Sequence, residues 1–304
     1  MMRVKMRWIA VTLVIVVAVS ILLLSAYQVG HHENVLRVTT TTSLYNTGLL
    51  DKLAEAFKQK NPEVSIHFIA VGSGEALRRA AQGDADIVIS HAPNLEKQYL
   101  DDRTLKLGGI LAYNYFIVVG PSDDPAGIAG MDPVSAMARL YETGESGKVM
   151  FVSRADKSGT HVRELMLWSL AGITPSGRAW YLELGVDMAQ ALMVANEKRA
   201  YILSDVGTYL KFKNRLGELR PLIEKGDVLI NIYSVYVVNK TKVPGVNEKL
   251  AEAFVNFILS EEGQKIIGDY GITEYGEPLF FAAKNEPNER LKSAWERVAE
   301  FRMN

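Results

Sequence analysis

The sequence predicts an α/β fold with a largely parallel sheet, arranged as two lobes. Three observations carry this. Strand-like and helix-like patterns alternate along the chain, as in βαβ units. The 304 residues exceed what one small core usually fills, so one large or two linked domains are expected. Two long β runs, residues 110–120 and 230–239, leave one in each half, which suits two crossover strands joining two lobes. Hydrophobic residues make up 48% and charged residues 23%, the balance of a folded chain and not of a disordered one.

The elements follow in order. Arg3, Lys5 and Arg7 precede an uncharged apolar run over residues 8–26, long enough to span a bilayer as a helix. The positive flank predicts an inside N-terminus and export of the rest. A cleaved signal and an uncleaved anchor are the two readings. The length of the run and the lack of a clear small-x-small cleavage site favour the anchor. Residues 1–34 are therefore read as anchor or signal plus tether. Residues 35–40 are strand-like; Leu49, Leu50, Leu53, Ala54 and Phe57 then repeat at helical spacing. Residues 65–71 alternate as a strand and break at Gly72-Ser73-Gly74. A helix over 75–82 stops at Gly83, and 87–90 is strand again.

After the apolar run 110–120 and a turn-rich stretch, a second unit begins. It reads as a helix at 136–141, a strand at 149–152, a helix at 158–171, a helix at 187–198 and a strand at 200–203. Helices at 248–259 and 290–301 close the chain, each with one apolar face for core packing. The expected division is 35–112 as the first part of lobe I, 113–234 as lobe II, and 235–304 as the return to lobe I.

Several function classes are excluded or weakened. The formal net charge of −1 gives no basic excess for nucleic acid. The absence of cysteine excludes disulfides, thiolate metal sites and a lipid-modified cysteine. His161 and Glu164 share a helix face, but no third metal ligand is evident. G-x-S-x-G, H-E-x-x-H and the Walker A pattern are absent. Neither a cofactor nor a metal is expected.

Three loops share one grammar: strand, then a hydroxyl- or glycine-rich loop, then helix. They are residues 39–43 (TTTTS), 72–74 (GSG) and 153–160 (SRADKSGT). In an open α/β sheet such loops lie at the carboxyl ends of strands, where ligands bind. A helix N-terminus leaves N–H groups free, hydroxyls add donors, and glycine admits close approach, so together they make an anion site. A capping role explains any one loop, but one cap uses one hydroxyl, and the threonine run has more. Arg154 follows the 149–152 strand, four residues before Ser158-Gly159-Thr160, and its guanidinium suits an oxyanion; a surface salt bridge is the alternative. His91 lies on a loop near the expected cleft, to line the site or to pack structurally.

The motifs TTTSLYNTGLLD (40–51), AVGSGEAL (70–77), GDADIVISHAP (83–93), FVSRADKSGTH (151–161), WYLELG (180–185) and ANEKRAYILSDVGTYL (195–210) occur in this order. Jointly they resemble the substrate-binding proteins of tungstate-type ABC importers, the TupA-type family, over about residues 35–281. The resemblance implies a type II periplasmic-binding-protein fold: two α/β lobes joined by two crossover strands, with the oxyanion in the cleft. It implies ligand donors at Thr41, Thr42, Ser43, Ser73, Arg154, Ser158, Gly159 and Thr160. It implies tungstate or molybdate as ligand, an ABC permease as partner, and an extracytoplasmic location tethered by the N-terminal helix. Val206 departs from the family's D-R-G-T, where a basic residue is often found.

Chemistry narrows the anion. Phosphate keeps a proton at neutral pH and gains from a carboxylate acceptor; tungstate, molybdate and sulfate need donors only. The first two loops hold no carboxylate, whereas Asp156 in the third could serve phosphate if it points inward. The same fold specific for molybdate or phosphate is the alternative. From another class comes an exported hydrolase of anionic esters using Ser158 or Ser73 with His161.

Overall fold

The computed structural model describes residues 34–301 and, before them, residue 19. All but that one residue of the N-terminal apolar run, and with it the expected anchor, lies outside the described residues. Among the described residues no helix is long and apolar enough to cross a membrane.

Ten strands form one sheet in each lobe, and the two sheets are continuous through a shared strand. In the first lobe, β1 (Val35–Thr41), β2 (Ser65–Val71) and β3 (Ile87–Ser90) are parallel, with β1 in the middle. β4 (Leu105–Pro121) then crosses to the second lobe. There β5 (Phe151–Ser153), β6 (Tyr181–Glu183) and β7 (Tyr201–Asp205) are parallel around a central β5, and β8 (Leu219–Ile223) pairs with the end of β4. β9 (Ile230–Val238) returns to lie antiparallel between β3 and β4. A short β10 (Phe281–Ala282) adds to β4.

The two long β runs behave differently. β4 pairs with β9 as far as Tyr115 opposite Ile230, and with β7 from Phe116 opposite Asp205. At 17 residues it spans roughly 55 Å, enough to serve a sheet in each lobe. β9 has nine residues, all buried, and pairs only within the first lobe. The return crossing is made just before it, through the turn Asp227–Leu229. The second run is thus the landing strand of the crossover and not a strand shared by both lobes.

The helices pack on these sheets: α1 (Thr42–Thr47), α2 (Leu49–Lys60), α3 (Ser73–Ala81) and α4 (Pro93–Asp101) in the first lobe, then α5 (Pro133–Glu145), α6 (Gly159–Leu170), α7 (Met188–Lys198) and α8 (Val206–Phe212) in the second. α9 (Glu248–Leu259), α10 (Glu261–Asp269), α11 (Ile272–Tyr275) and α12 (Asn288–Ala299) complete the return. The apolar stripe of α2 is buried as its spacing requires, with Phe57 edge-on to Phe254 of α9 at 5.1 Å. In the second lobe Phe151, Trp168, Trp180 and Tyr181 form an aromatic cluster. Leu44 and Leu49 of the first lobe share one continuous core with Val152, Met188 and Ile202 of the second.

Helix α1 was not expected. The chain turns helical directly after β1, with Thr41 as its N-cap, and ends at Gly48, whose φ of +88° suits glycine. A one-and-a-half-turn helix is too short to show a period in sequence.

Candidate functional site

Strand register brings the loops together before any side chain is considered. Thr41 sits opposite Val71, and Thr40 opposite Ile89. The starts of α1 and α3 and the loop bearing His91 therefore leave the same carboxyl edge of the first sheet. In the second lobe Ser153 sits opposite Glu183 and Val152 opposite Ile202, so Arg154 and Asp205 leave that sheet at its carboxyl edge. These are the edges at which open α/β sheets bind ligands.

The threonine run divides its labour. Thr39 Oγ1 donates to the Ile87 carbonyl at 3.2 Å, which ties β1 to β3. Thr41 Oγ1 accepts from Leu44 N at 3.4 Å as the cap, and lies 3.4 Å from Ser43 Oγ. Thr40 is fully buried, and its hydroxyl has no hydrogen-bond partner among the described residues. Thr42 is half-buried; with Ser43 it lines a small cavity of about 10 Å³ whose far wall is Asp187, Met188, Thr208 and Lys211 of the second lobe. Lys211 Nζ donates across this gap to the Asn46 carbonyl near the end of α1.

Ser73 begins α3, is fully buried, and its hydroxyl is unpartnered among the described residues. Its helix has no side-chain cap, so its first N–H groups keep their donor capacity.

The Arg154 loop is tightly organised. Ala155 and Lys157 both take left-handed backbone, with φ of +50° and +59°. Such conformations in non-glycine residues persist where surroundings enforce them. Arg154 is 3% exposed. Its Nη2 donates to Asp156 Oδ2 at 2.5 Å, its Nε to the Val186 carbonyl at 3.4 Å, and its Nη1 has no partner among the described residues. Asp156 uses its other oxygen to accept from Ser158 N at 3.1 Å. Ser158 Oγ caps α6 by accepting from His161 N at 3.3 Å. Thr160 is fully buried, and its hydroxyl is unpartnered among the described residues. The His161 ring accepts from Lys157 N through Nδ1 at 3.0 Å and makes no bond to a serine hydroxyl. Burial lowers the pKa of His161.

Glu164, one turn along α6, faces the aromatic cluster, not the cleft. It accepts from Tyr181 Oη and from Trp168 Nε1. Burial pushes its carboxyl up to about 8. Among the described residues no cluster of His, Cys, Asp or Glu is placed to hold a metal ion.

Sequence reasoning weighed His91 but missed its setting. The ring stacks on Tyr233 at 5.0 Å and on Phe116 at 6.3 Å, beside the point where β4 changes lobes. His91 Nδ1 is 3.0 Å from Asn231 Oδ1. Asn231 Nδ2 donates to Asn114 Oδ1 at 2.9 Å, and Asn114 Nδ2 donates to the Leu279 carbonyl at 3.2 Å. Asn114 and Asn231 are register partners on β4 and β9, a pairing no local pattern reveals. Glu96 steadies the same loop by accepting from Ala92 N at 2.8 Å and Trp295 Nε1 at 2.9 Å. Gly159 meets His91 from the other lobe: a Cβ there would lie 2.9 Å from the His91 carbonyl oxygen. Arg163 of α6 spans the crossing, donating to the carbonyls of Val228 and Ile230 with its guanidinium 5.3 Å from the Phe116 ring centre.

No hydrogen bond joins the three predicted loops to one another among the described residues. What they share is place, at facing carboxyl edges, and an excess of buried donors.

The comparisons with known proteins fit this architecture. Residues 28–262 match the model of the PBP superfamily domain. The chain is 42% identical to a putative ABC transporter anion-binding protein of Haloferax volcanii over 81% of this chain and 71% of that protein. It is 40% identical to the tungstate-binding protein TupA of Peptoclostridium acidaminophilum, over 80% of this chain and 84% of that one. Among solved structures, the tungstate-binding protein TupA of Desulfovibrio alaskensis G20 superposes with a TM-score of 0.69. It shares 38% identity over 82% of this chain and 98% of that one.

Proposed function

The chain belongs to the PBP superfamily and, within it, to the TupA-type family, and from that premise we propose that it is an extracytoplasmic receptor that captures tungstate between its lobes and delivers it to an ABC permease. The observation that carries the reading is a set of buried, unpartnered donors. The hydroxyls of Thr40, Ser73 and Thr160 and the Nη1 of Arg154 lie at the facing edges of the two sheets. Buried polar groups are ordinarily bonded, so such a cluster marks where a polar ligand belongs. The N-termini of α3 and α6 add N–H groups with partial positive charge.

The carboxylates support a fully ionised anion. Asp156 could have served a protonated ligand, but here it pairs with Arg154 and accepts from Ser158 N, an arrangement in which it orders the loop. Asp205 is engaged at both oxygens by Thr208. The hydroxyls and the one guanidinium on these loops then suit a fully ionised tungstate, molybdate or sulfate. Tungstate is chosen because two of the relatives described above are named for it. In this reading Thr40 joins Thr41, Thr42, Ser43, Ser73, Arg154, Ser158, Gly159 and Thr160 around the anion, the lobes close over it, and nothing is chemically transformed. Membrane attachment through the N-terminal apolar run belongs to the same proposal.

Calorimetric titration of the residues after the anchor with tungstate, molybdate, sulfate and phosphate tests it. Tungstate is expected to bind most tightly. Tightest binding of phosphate, or binding of none of the four, overturns the reading.

A further inference from the structure

We infer that His91 is a further anion-contacting group, and that tungstate is bound together with one proton held on the Nε2 of this ring. The inference rests on the oxyanion reading above, and it follows from a hydrogen-bond chain that fixes which nitrogen of His91 carries hydrogen.

The chain starts at a backbone carbonyl, which can only accept. Leu279 O accepts from Asn114 Nδ2, so the Asn114 Oδ1 must face Asn231. Asn231 Nδ2 donates to that oxygen, so the Asn231 Oδ1 faces His91. An amide oxygen also only accepts, and His91 Nδ1 therefore carries the hydrogen. A neutral imidazole has one N–H. The Nε2 of neutral His91 is then a bare lone pair, buried and without a partner among the described residues.

The ring edge lies against the start of α6. A Cβ at Gly159 would come within 3.0 Å of His91 Cε1 and 3.1 Å of Nδ1, and Nε2 is the next ring atom beyond Cε1. The charged groups that face the ring are Asp205 at the end of β7, Arg154 after β5 and Arg163 on α6. Tyr233 of β9 stacks on the ring and takes a hydrogen bond from Asn231 at 2.8 Å, while Phe116 of β4 is uncharged. Burial is the largest influence and lowers the ring's pKa to about 4. Asn231 and Asp205 act against it, and the two arginines reinforce it. The free protein therefore holds His91 neutral at pH 7.

A tungstate dianion offers lone pairs only, and these repel the lone pair on Nε2. One proton taken from the solvent removes the conflict. It bonds to Nε2, and the resulting N–H donates to a tungstate oxygen as a charge-assisted hydrogen bond. No bond within the anion changes. The dianion also cancels the repulsion that Arg154 and Arg163 exert on an imidazolium. By linkage, a group whose pKa rises on binding takes up protons, and affinity falls as pH rises.

The test is titration of the wild-type protein with sodium tungstate near pH 7 in buffers of different ionisation enthalpy. Uptake of up to one proton per anion is expected, and the Kd should weaken as pH rises, by at most about tenfold per pH unit. His91→Gln keeps a side chain able to donate but has no group that titrates, so uptake should vanish and the pH profile flatten. Tight tungstate binding by wild type with no proton uptake and a flat profile overturns the inference and leaves His91 a packing residue. Failure of tungstate to bind at all overturns instead the receptor reading on which it rests. The wild-type measurement decides even where the variant does not fold.

Discussion

Replacing Arg154 by Met keeps most of the buried stem and removes the charge, which isolates the guanidinium's contribution. In the free protein that guanidinium is 3% exposed, bonded to Asp156 and Val186, with Nη1 unpartnered. One charge-assisted bond contributes about 1.5–3 kcal/mol, and truncating a buried charge partner costs about 2–5 kcal/mol. A loss of about 3–4 kcal/mol is a few hundredfold in Kd, at about 1.4 kcal/mol per tenfold. Part of that loss would come from the Asp156 carboxylate, left without its cation beside the anion. The double variant Arg154→Met/Asp156→Asn should therefore bind more tightly than Arg154→Met alone. Calorimetry gives the affinities, and melting of the ligand-free protein checks the fold. Added tungstate should raise the melting temperature of wild type well above that of the variant. If Arg154→Met binds tungstate within about threefold of wild type, the guanidinium serves only to hold the 153–160 loop, and the anion site is misplaced.

Three further outcomes follow from particular contacts. Gly159→Ala places a methyl 2.9 Å from the His91 carbonyl oxygen; such overpacking costs about 1–3 kcal/mol, so the free protein should melt below the wild-type temperature and tungstate affinity should fall several-fold. Lys211→Met removes a contact between lobes, and stopped-flow fluorescence should show tungstate released roughly two- to fivefold faster with the association rate unchanged. Glu164 gives a pH effect on stability. Its folded pKa of about 8 lies above the ordinary 4.5, so its contribution is complete below about pH 4.5 and is lost as pH rises toward 8. Glu164→Gln should melt near the wild-type temperature at pH 4.5 and above it at pH 8, and equal melting at both values would refute the burial argument.

Much of the fold was legible because its signals are local. The α2 stripe, the strand over 65–71 and the helices over 187–198 and 248–259 each lie within one short window, and all appear within a residue of where the pattern places them. Arg154 and the hydroxyl loops could be singled out for a related reason: a donor-rich loop between strand and helix is itself a local pattern. The family could be recognised because several such windows recur in a fixed order.

Tertiary structure decided what depends on residues far apart in the chain. In the threonine run, composition showed more hydroxyls than one cap uses, but only folding assigned Thr39 to the strand bond, Thr41 to the cap and Thr40 to the unpartnered set. Asp156 was ambiguous in sequence because a carboxylate can face a ligand or an arginine; only the fold shows that it bonds to Arg154 and to Ser158 N. The two long β runs looked alike, yet one crosses between lobes and the other does not, because crossing depends on pairing partners and not on composition. The hydrogen on His91 is set by a carbonyl 188 positions along the chain, through two asparagines on paired strands. Sequence determines which donors and acceptors exist. Only the folded register determines which of them are already satisfied, and hence which remain to bind an anion.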